Sequence, residues 1–339
     1  MVDDLQQEID NRRLALKQEI KITGGNCTRI LLILAISTYA IGFGIVFGIK
    51  IMNIISGLIG SNNTIKLSKD TYGFFTGYFP CIIGDIIAII LAIKATKISF
   101  KKDIFTKIKS TKKFVFLGTV SCIGTGTISS LLYMIYSAIL KSIGITIPQP
   151  DFSFPKQSVY LVLFLIYVCL LGPILEEIIF RGFILKSMRR YGNLTAIIVT
   201  SILFSMFHLN LVQFINPVLM GIVLAFIAIK SESIIPSIIA HIFNNTITFL
   251  MAAISLLKLP LIYNVVVFVY ILFGAIVFAL FIHYYIYDFI GIIKEDNMLL
   301  MTYEKVKYSF SGKWALAYVI FYVIFIIATM VLTNIMKIS

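Results

Sequence analysis

The sequence predicts an all-α protein, a polytopic transmembrane helical bundle of about eight or nine spans, and three observations predict it. Of its 339 residues 59% are hydrophobic and only 13% charged, with a mean hydropathy of +0.97, whereas soluble domains run nearer half apolar and a quarter charged. The apolar residues fall in runs of about 20, the length a helix needs to cross hydrocarbon about 30 Å thick. The basic residues gather in short segments between those runs, so the formal net charge of +13 serves orientation and nucleic acid is not expected as a partner.

The first segment, 1–29, is charged and polar, with Asp3, Asp4, Glu8, Arg12, Arg13 and Lys17 among its residues. No apolar stretch precedes a small-residue cleavage site, so no cleavable signal peptide is expected. Leu5, Ile9, Leu16 and Ile20 recur at roughly helical spacing, which fits an amphipathic helix on the membrane or on the rest of the protein, or equally a solvated helical tail. The spans follow at about 30–49, 72–93, 114–140, 160–185, 195–209, 213–229, 234–253, 261–285 and 314–336. The fifth and sixth are short, and 51–60 is apolar but interrupted.

Lys and Arg crowd the tail before the first span, the loop Lys94 to Lys113, the loop with Lys186, Arg189 and Arg190, and the loop with Lys294, Lys305, Lys307 and Lys313. The alternate loops hold few. The positive-inside rule therefore predicts a multi-pass protein with its N-terminus in the cytoplasm, and the plasma membrane is the expected location. Trp314, Tyr284, Tyr285 and Tyr287 read as interfacial anchors, and His283, in the same aromatic belt, is assigned no chemistry. Cys27, Cys81, Cys122 and Cys169 form no CxxC pair and read as small core residues.

The fourth span is interrupted by Glu176, Glu177 and Arg181. Each costs on the order of 2.5–3.5 kcal/mol at mid-bilayer by insertion scales, so these groups need partners or water. Arg181 stands four residues after Glu177, the favourable order for a helical ion pair, whereas Glu176 points about 100° away around an ideal helix. Glu177 is thus expected to be held by Arg181, leaving Glu176 free to face another group. Pro173, one turn earlier, frees a backbone carbonyl, which suits a wet cavity better than a lipid-facing wall.

Two more spans supply candidate partners: Phe204 to His208 ends the fifth, and His241 and Asn245 share one face of the seventh at i, i+4. At about 1.5 Å per residue, Glu176, His208 and His241 lie roughly 13, 18–20 and 10 Å from the ends of their spans that the loop charges place at the cytoplasmic face. They are therefore expected to meet in the inner half of the membrane. This set fits amide hydrolysis by activated water, with Glu176 as general base, His208 orienting the water or sharing its proton, and His241 and Asn245 donating N–H groups to the oxyanion. Each residue also has a plainer reading: an ion pair for Glu177 and Arg181, satisfied core residues for single histidines, and interhelical bonding for Asn244 and Asn245. Asp85 is intramembrane without an obvious partner and reads as a packing or hydration residue.

Glu176-Glu177-x-x-x-Arg181, Phe204-x-x-x-His208 and His241-x-x-x-Asn245, in this order, resemble the CPBP family of CAAX proteases and bacteriocin-processing enzymes, also called the Abi family. The resemblance covers about 159–255 and extends to 114–285 in helix pattern. It implies an intramembrane glutamic endopeptidase in which Glu176 and His208 activate water, His241 and Asn245 stabilise the oxyanion, and Glu177 and Arg181 support them, with no cofactor and no metal. Two His and two carboxylates satisfy tetrahedral zinc in principle, but Glu177 is expected to be committed to Arg181 and Asn is a poor zinc ligand.

The expected organisation is 1–29 as a cytoplasmic amphipathic segment, 30–113 as accessory membrane helices with a basic cytoplasmic loop, 114–285 as the peptidase core, and 286–339 as a cytoplasmic loop and a last membrane helix. The expected partner is a membrane-embedded or membrane-delivered peptide substrate within the lipid bilayer. Bacteriocin or signal-peptide processing, or immunity, are the expected settings. A non-catalytic binding or regulatory membrane protein and a proton-coupled transporter are the rival readings, since buried acids and histidines also build proton relays.

Overall fold

The computed structural model describes residues 2–59, 64–149, 153–294 and 299–338. Parts of the expected segments, namely 1, 60–63, 150–152, 295–298 and 339, lie outside the described residues. Ten α-helices, counting stretches that run on through π-helical turns as one, and one separate π-helical turn, Phe100–Ile104, carry the described residues: α1 Val2–Leu58, α2 Lys69–Thr96, α3 Lys112–Ser142, α4 Ser158–Arg189 and α5 Asn193–Phe207. They continue as α6 Ile215–Ser231, α7 Ile235–Ser255, α8 Pro260–Lys294, α9 Thr302–Ser309 and α10 Lys313–Ile338. No strand occurs among them.

Seven of these helices are long and apolar enough to cross a membrane, and α5 and α6 are shorter apolar helices. All nine fall on the nine apolar runs of the sequence. The protein is a multi-pass helical bundle. In α8 the lipid side is apolar down its length, with Leu261, Val265, Phe268, Leu272 and Ile276 all exposed, because lipid tails are as apolar as these side chains.

The charged segment 1–29 does not form a separate element: α1 runs without a break from Val2 into the membrane. Its apolar stripe splits, with Leu5 and Ile9 exposed, Leu16 packed on the core and Ile20 fully buried. At Gly24, α1 meets α9 so closely that a Cβ would stand 2.2 Å from the Ser309 carbonyl oxygen. Thr23 bonds the Tyr191 hydroxyl at 2.7 Å and accepts from Arg190. These contacts tie the tail to α9 and to the turn that follows α4.

Small residues set the helix spacing elsewhere. In α3, Gly118 faces Ile227 and Phe281, and a Cβ on Gly124 would stand 2.4 Å from the Phe278 Cβ and 2.7 Å from the Gly274 carbonyl oxygen of α8. Ser121, Thr125 and Thr127 return their hydroxyls to carbonyls of their own helix, so these polar residues pack without an orphaned donor. Gly124→Val is expected to force α3 and α8 apart and to lower the unfolding free energy by about 1–3 kcal/mol, read as a lower thermal midpoint of the detergent-solubilised protein.

At the face where α1 begins, Phe114, Phe226, Phe281 and Tyr285 stack edge-on or tilted, with ring centroids 4.9–5.9 Å apart. Lys230 pairs with Asp288 at 2.9 Å beside them. Lys109 reaches Glu232 at 2.6 Å across the loops, and its hydrogen bond holds the Glu232 carboxyl below the usual range. Thr106 donates to the Glu232 carbonyl and Ser233 to the Thr106 carbonyl, so the loop before α3 clasps the turn between α6 and α7.

Candidate active site in the membrane

The site begins with α4, which is not a uniform α-helix. Two π-helical stretches, Tyr167–Leu171 and Ile178–Leu185, bracket the α-helical turn Gly172–Glu177. The Gly172 N–H bonds the Tyr167 carbonyl, and the next bond in that register needs an N–H at Pro173, which proline lacks. The Val168 carbonyl is left over. Asn245 Nδ2 of α7 donates to it at 3.0 Å, so Pro173 creates the acceptor that anchors Asn245. π-Bulges of this kind recur at functional sites because they re-aim side chains within a helix.

Glu177 and Arg181 are fully buried, and Arg181 Nη1 donates to Glu177 Oε1 at 2.8 Å, as the spacing predicts. Arg181 is held twice more. Nη2 donates to the Gly221 carbonyl of α6 at 3.2 Å, and the guanidinium lies 4.5 Å from the Phe204 ring centroid of α5. Gly221 allows the close approach of α6 to α5, since a Cβ there would stand 3.0 Å from Ser201. Thus the Arg181 side chain ties α4, α5 and α6 together below the glutamates.

The role of His241 was not legible from spacing. Its Nδ1 bonds Glu177 Oε1 at 3.0 Å, while its Nε2 stands 3.8 Å from Glu176 Oε2. Since a carboxylate only accepts, Nδ1 carries the proton and Nε2 carries one only in the imidazolium form.

His208 directly follows the last residue of α5. Its Nδ1 donates to the Phe204 carbonyl at 2.8 Å, so in the neutral ring Nε2 keeps its lone pair. The Phe204 ring packs edge-on against both His208 and His241, at 5.2 and 5.6 Å. After His208 the chain reverses at Leu209, which has φ 51°, and Asn210 ties the turn by accepting from the Gln213 N–H at 2.7 Å and donating to the His208 carbonyl.

A cavity of about 410 Å³ joins these groups. Glu176, His208, His241 and Asn245 line it, and Glu176 Oε2 is buried with no hydrogen-bond partner. Glu177 and Arg181 lie behind it and do not line it. The walls also come from α1 and α2, through residues including Thr38, Tyr39, Cys81 and Asp85. The segment expected as accessory therefore faces the same space as the expected core. Asp85 is 2% exposed and lines the cavity, which its reading as a packing or hydration residue did not foresee. Its signal in the sequence was an acid inside an apolar run. Gln213 and Asn216, from the α5–α6 turn and the start of α6, carried no comparable signal.

The arrangement offers a carboxylate oxygen without a partner, an imidazole lone pair and amide N–H groups around a space large enough for part of a peptide. Among the described residues, no three of His, Cys, Asp and Glu stand where one metal ion would hold them.

Residues 158–247 match the family model described as Rce1-like, type II CAAX prenyl endopeptidase Rce1-like. The matched stretch runs from the start of α4 into α7 and contains Glu176, Glu177, Arg181, His208, His241 and Asn245. It agrees with the CPBP resemblance of the motifs. No curated protein and no solved structure matches.

Proposed function

We propose that this protein is an intramembrane glutamic endopeptidase that hydrolyses a peptide bond of a membrane-embedded or membrane-delivered substrate. The observation that carries the reading is Glu176 Oε2, buried in an apolar helix without a hydrogen bond yet lining a cavity shared with His208, His241 and Asn245. A buried acid left unpaired beside two histidines is costly for a protein that has no use for it.

In the proposed reaction, His208 Nε2 accepts a hydrogen bond from a water and Glu176 takes its other proton. The hydroxide oxygen bonds to the scissile carbonyl carbon, and the electron pair of the C=O bond moves to oxygen. Asn245, which spends one N–H on Val168, offers its second to that oxyanion, and His241 offers Nε2–H as imidazolium. Glu176 then returns the proton to the departing amine as the C–N bond breaks. Glu177 and Arg181 act by fixing His241 and the pitch of α4.

No metal or other cofactor is assigned, because Glu177 Oε1 is already engaged by both Arg181 and His241. The loop charges support a cytoplasmic N-terminus. Processing of a bacteriocin or signal peptide, or self-immunity, are the roles the family resemblance supports.

The test is incubation of the purified protein with candidate membrane peptides, with and without a chelator, and detection of products by mass spectrometry. His208→Ala is expected to lower the cleavage rate about 10²–10⁴-fold, and chelation to leave the wild-type rate unchanged. Equal product from wild type and His208→Ala would refute the peptidase reading. Substrate flux in sealed vesicles with no cleaved peptide would establish a transporter instead.

A further inference from the structure

The cavity holds a second buried acid that the hydrolytic scheme leaves unused. Asp85 sits between Gly84 and Ile86 in the apolar run of α2, and its Oδ1 has no hydrogen-bond partner. Counted along their helices, Asp85 lies about 17 Å and Glu176 about 20 Å from the ends at the face where α1 begins. The two acids thus stand at similar depth.

The neighbouring helix supplies a third orphaned oxygen. Thr38 Oγ1 of α1 is buried and partnerless, and Thr38 lines the same cavity. Gly84 makes this juxtaposition possible: a Cβ there would stand 2.1 Å from Thr38 Oγ1, so any larger residue would push α1 away from the backbone that carries Asp85.

Asp85 Oδ1, Thr38 Oγ1 and Glu176 Oε2 therefore all belong to residues that face one cavity, and none of the three has a hydrogen-bond partner, His241 Nε2 standing 3.8 Å from Glu176 Oε2. Buried polar atoms of native proteins are nearly always satisfied, so such a group points to a guest. No Lys or Arg is among the described residues that line the cavity. Water supplies donors but no charge, whereas an ammonium supplies three donors and a charge that offsets a second acid in hydrocarbon.

We propose that Asp85, assisted by Thr38, is a specificity determinant that receives the basic side chain of a Lys or Arg of the substrate peptide at a fixed distance from the scissile bond. This inference rests on the peptidase reading. Asp85 reads the substrate while Glu176 acts on water, which gives the two acids of one cavity different tasks.

The experiment uses the full-length protein in lipid nanodiscs and a set of apolar synthetic peptides in which Lys, Arg, norleucine or Glu is stepped through each position. Products are quantified by mass spectrometry as kcat/KM. Wild type is expected to favour Lys or Arg over norleucine at one position by about tenfold or more, the size of a hydrogen bond to a charged group. Asp85→Asn is expected to bring that ratio close to one, and Asp85→Glu to retain part of it. Thr38→Val, which keeps the side-chain shape, is expected to lower the ratio by about threefold, the size of a neutral hydrogen bond, and carries the test if Asp85→Asn does not accumulate. An unchanged ratio in Asp85→Asn or, failing that variant, in Thr38→Val overturns the subsite while leaving the peptidase standing. So does a wild type indifferent to basic residues at every position. Absence of cleavage by wild type overturns both.

Discussion

Glu176→Gln is expected to reduce cleavage on the order of 10³-fold or more, at the upper part of what a positioned general base contributes, while the protein still accumulates in the membrane. The amide has nearly the volume of the carboxyl group but cannot take the proton of water. Stability should not suffer, because Glu176 Oε2 makes no hydrogen bond within the protein and its nearest basic partner, His241 Nε2, is 3.8 Å away. The measurement is a pair: kcat against a cleaved peptide, and the thermal midpoint in detergent. Loss of rate with an unchanged midpoint separates a chemical role from a packing role. A lowered midpoint with retained specific activity would assign Glu176 to the fold.

Arg181→Ala is expected to show the opposite pattern first, a loss of about 3–5 kcal/mol of stability, as when one partner of a buried ion pair is removed. Arg181 is fully buried and holds Glu177, the Gly221 carbonyl and the Phe204 ring. Its removal leaves Glu177 without its guanidinium partner in a dry environment, with His241 Nδ1 still bonded to it, and opens a void between α4, α5 and α6. The double variant Glu177→Gln/Arg181→Met removes both charges and should recover most of that stability. It should not recover cleavage, because His241 loses the carboxylate that fixes its Nδ1 proton. A thermal-shift series on the single and double variants, read beside their cleavage rates, tests the coupling. Equal midpoints for Arg181→Ala and wild type would show that the buried pair is not a strut of this site.

Much of the site was legible because its chemistry violates its surroundings. In a chain this apolar, Glu176, Glu177, Arg181, His208 and His241 stand out as groups that hydrocarbon does not tolerate alone. The i, i+4 spacings of Glu177 with Arg181 and of His241 with Asn245 needed only helix geometry. The partners that spacing missed came from other helices. Nothing in the local sequence joins His241 to Glu177, or Asn245 to the Val168 carbonyl, since each pair lies on helices whose contact depends on packing. The register of α4 was also hidden, because two π-helical stretches replace the uniform helix that spacing assumes.

The sequence by itself determined that this protein crosses the membrane repeatedly, where its nine apolar helices lie, and which ionisable groups they carry. Transfer into lipid is decided residue by residue over a run of about 20, so that information is local and survives in one dimension. Only the tertiary structure decided which of those groups share a cavity. That depends on how closely helices approach at Gly84, Gly124 and Gly221, on the carbonyl freed by Pro173, and on the turn after His208. These are properties of contacts between distant segments. They place Asp85 of α2, outside the stretch that carries the family motifs, in the cavity that holds Glu176.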